Sequence, residues 1–237
     1  MVAINISESK NFIVASRIPS YLPFITPHLE KFGKLTETVS TPAELINLVN
    51  KLSSGTIFFP HWSWKIPIEI LTKFHCIGFH PTDLPLGRGG SPFQNLIRDG
   101  VKNTVISSFL INNQMDGGDI IYKTSFEIPD SNIDDILESY AHEIEKHVEY
   151  IISRELFPKK QMGRVTEFTR ILDNSLNFDS MELLGIYNEI RMVDGAGYMP
   201  AKVEIGQYTI FFSDAKLNDE SVTAMVTITK RGKRVKA

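Results

Sequence analysis

Short apolar runs alternate with helical periodicities over the first part of the chain. Asn11–Ala15 (NFIVA), Thr56–Phe59 and Cys76–Phe79 are compact apolar blocks, the pattern of strands buried within a sheet. Pro19 to Phe32 reads as a helix or irregular turn interrupted by Pro23 and Pro27. Thr41-Pro-Ala-Glu44 sets threonine at the cap, proline at the first helical position and glutamate at the third. That capping box predicts a helix through Leu52. Pro67–Phe74 reads as a short helix. Ser91-Pro-Phe-Gln94 repeats the cap logic and Gly100 supplies a stop, which predicts a helix over 92–99. Thr104–Leu110 and Ile120–Ile128 follow as strands with no helix between them. Asp130 and Ser131 open the longest helix. Its apolar positions Ile133, Leu137, Tyr140, Ile144, Val148 and Ile151 step by three and four onto one buried stripe, and it ends by Pro158. Strands separated by helices predict an α/β domain with a mostly parallel sheet covered on both faces.

After Pro158 the texture changes. The polar, aperiodic stretch KKQMGRVTEFTR leads to a helical pattern around Met181–Met192, then to three strand patterns at Val203–Ile205, Tyr208–Phe212 and Val222–Ile228. The expected division is therefore a main domain over 1–158 and a small β-rich unit over 159–237, too short to hold much core of its own.

Composition narrows the class. The chain has 237 residues, 42% hydrophobic and 22% charged, as in an ordinary globular protein. A formal net charge of −3 gives no general attraction to nucleic acid, so nucleic acid is not an expected partner. The basic cluster Lys230, Arg231, Lys233, Arg234 and Lys236 reads as a solvated terminus. One cysteine, Cys76, excludes an internal disulfide and a multi-cysteine zinc site. His142 and His147 miss the i, i+4 step of a helical metal site, and no metal is assigned. The beginning of the chain lacks a signal-peptide pattern and no run is long enough to span a bilayer, so the expectation is a cytoplasmic protein without a membrane partner.

The candidate chemistry lies between Cys76 and Gly118. His80 directly follows an apolar strand, at the carboxyl end where ligands bind open α/β sheets. It precedes Pro81-Thr-Asp-Leu-Pro85 and Gly87-Arg-Gly-Gly90, whose glycines permit close backbone approach. The helix predicted after Ser91 would aim its free amides at the same region. Asp116 sits in Met-Asp-Gly-Gly, a common turn sequence. Asp83 and Arg88 read as a possible surface ion pair, and the two indoles of Pro60-His-Trp-Ser-Trp64 as core packing or ligand contacts.

FHPTDLPLGRGGSP followed by Met-Asp-Gly-Gly-Asp-Ile resembles the signature of the folate-dependent formyltransferases: Asn-x-His-x-Ser-Leu-Leu-Pro, Arg-Gly with a proline-led helix, then Asp-x-Gly. IFFPHWSWKIPIEIL and IYNEIRMVDGAGYMPAKV extend the resemblance over about residues 50–215, with the nearest likeness in the branch that formylates amino sugars of surface glycans. The resemblance implies a Rossmann-like formyltransferase domain with a C-terminal β-rich subdomain. It also implies transfer of a formyl group from 10-formyltetrahydrofolate to the amine of an amino sugar through a tetrahedral intermediate. Formylation of methionyl-tRNA and a degenerate, non-catalytic binder are the alternatives. His80 matches the catalytic histidine and Asp116 the aspartate that polarises it. The folate would lie along Pro60, His61, Trp62, Ser63 and Trp64 and along Leu84, Pro85, Gly87, Arg88, Gly89, Gly90 and Asp119. Thr82 and Asp83 are the expected acceptor-binding residues, and a homodimer is the candidate assembly. One departure stands out: the family asparagine is Gly78 here. A substitute donor (Asn95, Thr82 or His61), a backbone amide or water, and loss of turnover all remain open. Asn95 is carried forward as the catalytic candidate.

Overall fold

The computed structural model describes residues 3–18, 22–31 and 35–232. In chain order the elements are β1 (Phe12–Ser16), α1 (Leu22–Lys31), β2 (Leu35–Val39), α2 (Pro42–Val49), β3 (Gly55–His61), α3 (Ile68–Leu71), β4 (Phe74–His80), β5 (Arg88–Gly89) and α4 (Pro92–Arg98). They continue as β6 (Asn103–Leu110), β7 (Ile120–Glu127), α5 (Ile133–Ile152), β8 (Glu167–Phe168), α6 (Leu183–Arg191), β9 (Ala201–Ile205), β10 (Tyr208–Leu217) and β11 (Val222–Lys230). No helix among the described residues is long and apolar enough to cross a membrane.

The chain forms two compact units that interleave in sequence. Unit 1 comprises Met1–Gly89, Thr104–Phe126 and Glu138–Glu167; unit 2 comprises Gly90–Asn103, Glu127–Leu137 and Phe168–Ala237. A single cut between 158 and 159 does not describe this division, because 90–103 and 127–137 belong with the C-terminal strands. The reason is burial. A small antiparallel sheet needs an apolar cover to be stable, and the last third of the chain is too short to supply it. Unit 2 therefore takes in α4. Arg98 is paired with Glu189 of α6, its Nη2 donating to Oε2 at 2.9 Å, and Gln94 Nε2 donates to Met192 O at 3.3 Å.

Unit 1 holds a sheet of order β2-β1-β3-β4-β6-β7. β1 runs parallel to β2 and β3, and β3 to β4; β6 joins β4 antiparallel. One face buries Ile13, Ala15, Ile57, Phe59 and Cys76 against Leu45 and Val49 of α2 and against Ile66 and Ile70. On the other, the rings of Phe12, Phe58 and Phe79 follow one another at 6.0 and 6.4 Å, and His147 of α5 meets Phe79 edge-on at 6.3 Å. Helices thus cover both faces, as the apolar blocks predict.

Local signals fare unevenly. Thr41 Oγ1 accepts from Glu44 N at 3.3 Å, and the Glu44 carboxylate accepts from Ser40 N at 2.7 Å, one residue before the cap. That bond holds the Glu44 carboxyl below its ordinary value. Ser91 does not cap α4. It is left-handed at φ 54°, and its hydroxyl accepts from Ile171 N at 3.2 Å. Pro19, Phe32, Lys233, Arg234 and Lys236 lie outside the described residues, whereas Pro23 and Pro27 both fall within α1.

Candidate active site

His80 closes β4, buried at 5% exposure, where β6 pairs antiparallel beside it. Its Nε2 lies 2.7 Å from the carbonyl of Gly87. A carbonyl only accepts, so Nε2 carries the hydrogen and the ring is fixed in one orientation. Nδ1 then faces Asp116, whose Oδ2 is 3.7 Å away. The same Oδ2 accepts from Gly89 N at 2.9 Å. One loop therefore holds both partners: the Gly87 carbonyl orients the histidine and the Gly89 amide orients the carboxylate.

That loop is itself clamped from the polar stretch after Pro158. Thr166 Oγ1 accepts from Gly87 N at 2.7 Å, Thr166 O accepts from Arg88 N at 3.0 Å, and Thr166 N donates to Pro85 O at 3.2 Å. Gln161 makes a second clamp. Its Oε1 accepts from Arg88 Nε and Nη2 at 3.2 and 2.6 Å, while its Nε2 donates to Asp116 O and Gly118 O at 2.7 and 2.8 Å. Arg88 is buried at 6% exposure and does not pair with Asp83. Asp83 meets Lys123 instead, at 2.5 Å. Sequence patterning missed Thr166 and Gln161 because both lie in an aperiodic segment.

The turn carrying Asp116 is as tightly specified. Asp116 has φ 47°, an uncommon conformation outside glycine. A Cβ on Gly118 would lie 1.5 Å from Leu110 O, so only glycine lets the returning chain pass the end of β6. Leu110 N donates to Asp119 O at 2.9 Å and closes the turn, which gives Asp119 a backbone role.

Several predicted residues are occupied structurally. Thr82 is buried, with its hydroxyl donated to Leu86 O at 2.5 Å and its carbonyl accepting from Ser107 Oγ at 2.7 Å. Leu84 is buried, and a cis bond joins it to Pro85. Asn95 belongs to unit 2, where Nδ2 donates to the carbonyls of Gly90, Ser91 and Thr169 at 3.2, 2.8 and 3.2 Å. An amide committed to three carbonyls is no free donor for an oxyanion, which corrects its candidacy as the asparagine substitute. Gly90 also falls in unit 2. Pro60 and His61 end β3, Ser63 is exposed, and Trp62 packs on the unit 1 core with Phe59 at 5.6 Å. Trp64 meets Trp62 at 4.9 Å and is 40% exposed.

Gly78 has a packing explanation. Its cross-strand partner is Phe109, and a Cβ built on Gly78 would meet the Phe109 ring at 2.7 Å and Ile111 Cγ1 at 3.1 Å. An aromatic ring from β6 fills the space beside residue 78, where the sequence resemblance led to the expectation of an asparagine. Nearby, His147 is fully buried between Thr124 Oγ1 at 2.8 Å and Ser108 Oγ at 3.1 Å, and burial pushes its pKa down to about 4. Cys76 is buried and its thiol is pushed up to about 12, an inert packing group. No cluster among the described residues could hold a metal ion.

A Rossmann-like domain with a histidine and an aspartate converging at a strand end defines the class, and comparison with known proteins gives the family. The model described as "Formyl transferase" matches residues 6–153, and that described as "Methionyl-tRNA formyltransferase, C-terminal domain" matches 172–229. The chain belongs to the formyltransferase family. It is similar to a methionyl-tRNA formyltransferase structure from Clostridium thermocellum, with 33% identity, a TM-score of 0.83, and coverage of 93% of this chain and 99% of that one. The curated methionyl-tRNA formyltransferase of Rickettsia bellii is 30% identical over 126 residues, 52% of this chain; the match spans only 38% of that relative's length. A sugar N-formyltransferase structure from Shewanella shares the fold at 17% identity and TM-score 0.63, covering 91% of this chain and 96% of that one.

Proposed function

We propose that the protein transfers the formyl group of 10-formyltetrahydrofolate to the amine of methionyl-tRNA. The observation that carries formyl transfer is the His80–Asp116 pair, held by the Gly87 carbonyl and the Gly89 amide. The acceptor is supported by the C-terminal family match and by the 33% identity across nearly the whole of both chains. An amino-sugar acceptor, implied by the sequence resemblance and favoured over tRNA by the net charge of −3, takes second place. Net charge is a sum over the chain and hides local runs such as Lys159, Lys160 and Arg164, which suit phosphates better than a charge of −3 implies.

The residues present fit a folate. A cleft of about 190 Å³ in unit 1 is bounded by Leu84, Pro85, Leu86 and Lys123 on one side and Met162 and Arg164 on the other. It offers apolar walls and a fixed backbone for part of the cofactor, with Arg164 as a cation for a carboxylate; Lys123 is already paired with Asp83 of the same lining. Pro60–Trp64 and Leu84–Gly89 are its proposed neighbours. The bound cofactor supplies an activated formyl carbon. His80, with Nε2 already bonded, would use Nδ1 to take the proton lost by the attacking amine and return it to the nitrogen of the formyl donor as the old carbon–nitrogen bond breaks. Asp116 then stabilises the imidazolium. General acid–base help of this kind is worth about 10²–10⁴ in rate. With Gly78 lacking an amide, the charged His80 ring is also the proposed donor to the developing oxyanion.

The test is formylation assayed by mass, a gain of about 28 Da on a primary amine. Methionyl-tRNA and nucleotide-linked amino sugars are offered separately with 10-formyltetrahydrofolate. Formylation of methionyl-tRNA, lowered about 10²-fold or more by His80→Ala at saturating substrate, is the expected result. Formylation of an amino sugar alone would replace the acceptor. Folate binding without transfer to either would make this a binding module.

A further inference from the structure

An irregular loop joins His80 to the Gly87 carbonyl that fixes its ring, and the ring is held only as firmly as that loop. Every carbonyl from Pro81 to Gly87 accepts a hydrogen bond, as buried backbone outside a ladder must. Three of the donors are side chains of β6 and β7. Thr104 Oγ1 reaches Pro81 O at 2.9 Å, Ser107 Oγ reaches Thr82 O at 2.7 Å, and Lys123 Nζ reaches Leu84 O at 2.6 Å.

Ser107 differs from the other two in serving two backbone groups. Its hydroxyl donates to Thr82 O and accepts from Leu84 N at 3.3 Å. The loop's own bond there, Leu84 N to Thr82 O at 2.9 Å, closes only a three-residue turn, the smallest the backbone makes. The constraint is passed along the loop. Thr82 Oγ1 donates to Leu86 O at 2.5 Å, and Leu86 precedes the Gly87 carbonyl that accepts from His80 Nε2. Ser107 also pairs with His80 across β4 and β6, so both side chains lie on one face of the sheet. Ser108 is equally buried but turns to the other face, where its hydroxyl meets His147 Nδ1 at 3.1 Å.

We propose that Ser107 is a positioning residue for His80. By pinning the 82–84 turn it holds the Gly87 carbonyl against Nε2, keeps the ring hydrogen there and leaves the Nδ1 lone pair open. In a neutral imidazole the hydrogen can sit on either nitrogen, and the bond made by one decides the other. If the carbonyl drifts, the hydrogen moves to Nδ1, beside Asp116 Oδ2, and the ring loses the lone pair that would take a proton. The kinetic consequence rests on the formyl transfer proposed above; the tautomer does not.

Nitrogen NMR of the full chain with labelled histidine, at a pH where His80 is neutral, reads the tautomer, and His80→Gln assigns the signal. Ser107→Ala should pass part of the hydrogen to Nδ1 and lower kcat about tenfold, since small misplacements of a reacting group cost that much or more. Ser107→Cys keeps the volume but bonds weakly, so it should move both readouts the same way even if the alanine variant does not fold. Ser108→Ala controls for burial alone and should leave the His80 tautomer and kcat as in the parent. A parent-like tautomer in the folded Ser107 variants, or the same change from Ser108→Ala, would overturn the proposal. A shifted tautomer in a chain whose parent formylates nothing would sustain the role of Ser107 and count against the function instead.

Discussion

A single methyl group at residue 78 tests the packing account of the missing asparagine. Gly78 does not have positive φ, so backbone conformation does not require glycine there; only space does. In Gly78→Ala the new Cβ would lie 2.7 and 2.9 Å from Phe109 Cζ and Cε1 and 3.1 Å from Ile111 Cγ1. Ordinary contact begins near 3.4 Å, so the ring must retreat by roughly 0.7 Å. Phe109 is 3% exposed on the paired strand and has little room to do so. Overpacking of this kind costs about 1–3 kcal/mol. The lower chain entropy of alanine offsets about 0.4–1 kcal/mol of that. The expected net loss is about 1–2 kcal/mol, read as a shifted urea midpoint at constant slope. Phe109→Ala alone should lose about 3–5 kcal/mol. In the double variant the clash is gone, so the two losses should fall short of additivity by about 1–3 kcal/mol. Gly78→Asn should likewise be tolerated better with Phe109→Ala than without it. If Gly78→Ala is as stable as the parent, or strictly additive with Phe109→Ala, the ring does not hold this site closed.

Three further outcomes follow from the same geometry. Gly118→Ala places a Cβ 1.5 Å from Leu110 O, so the turn must move and carry Asp116 with it; turnover should fall by about 10²-fold or more. Normal kinetics in that variant would separate the turn from the chemistry. Gln161→Glu keeps an acceptor for Arg88 but removes the donors to Asp116 O and Gly118 O. It should lower kcat and cost about 1–3 kcal/mol of stability, and an unchanged kcat in the folded variant would deny Gln161 a positioning role. His147 is neutral when folded, with its pKa lowered to about 4 from 6.5. The unfolded chain therefore binds the extra proton between those values, and stability is lost as pH falls through that window. The loss between pH 7 and 5 should be about 2 kcal/mol in denaturant titrations, smaller in His147→Gln. An equal acid loss in both proteins would exclude this histidine as its source.

Element type was legible wherever burial wrote a period into the chain. The blocks at β1, β3 and β4 and the stripe of α5 are apolar because both faces of the sheet are covered. β2 escaped notice because Leu-Thr-Glu-Thr-Val is a short alternating edge strand with no apolar block. Ser91 misled because a serine before proline looks like a cap in sequence, whatever its φ. The acceptor was not legible in net charge, which is additive over residues and blind to placement.

The sequence by itself determined the α/β order, the turn glycines and the two residues, His80 and Asp116, on which the proposed chemistry rests. Those depend on local propensity and on residue identity, both of which are written one position at a time. Only the tertiary structure decided that Nδ1 faces the carboxylate, that Thr166 and Gln161 clamp the loop, that Asn95 is already committed, and that Phe109 fills the place left by Gly78. Each of those is a contact between segments distant in the chain, fixed by packing and by the need of buried polar groups for partners.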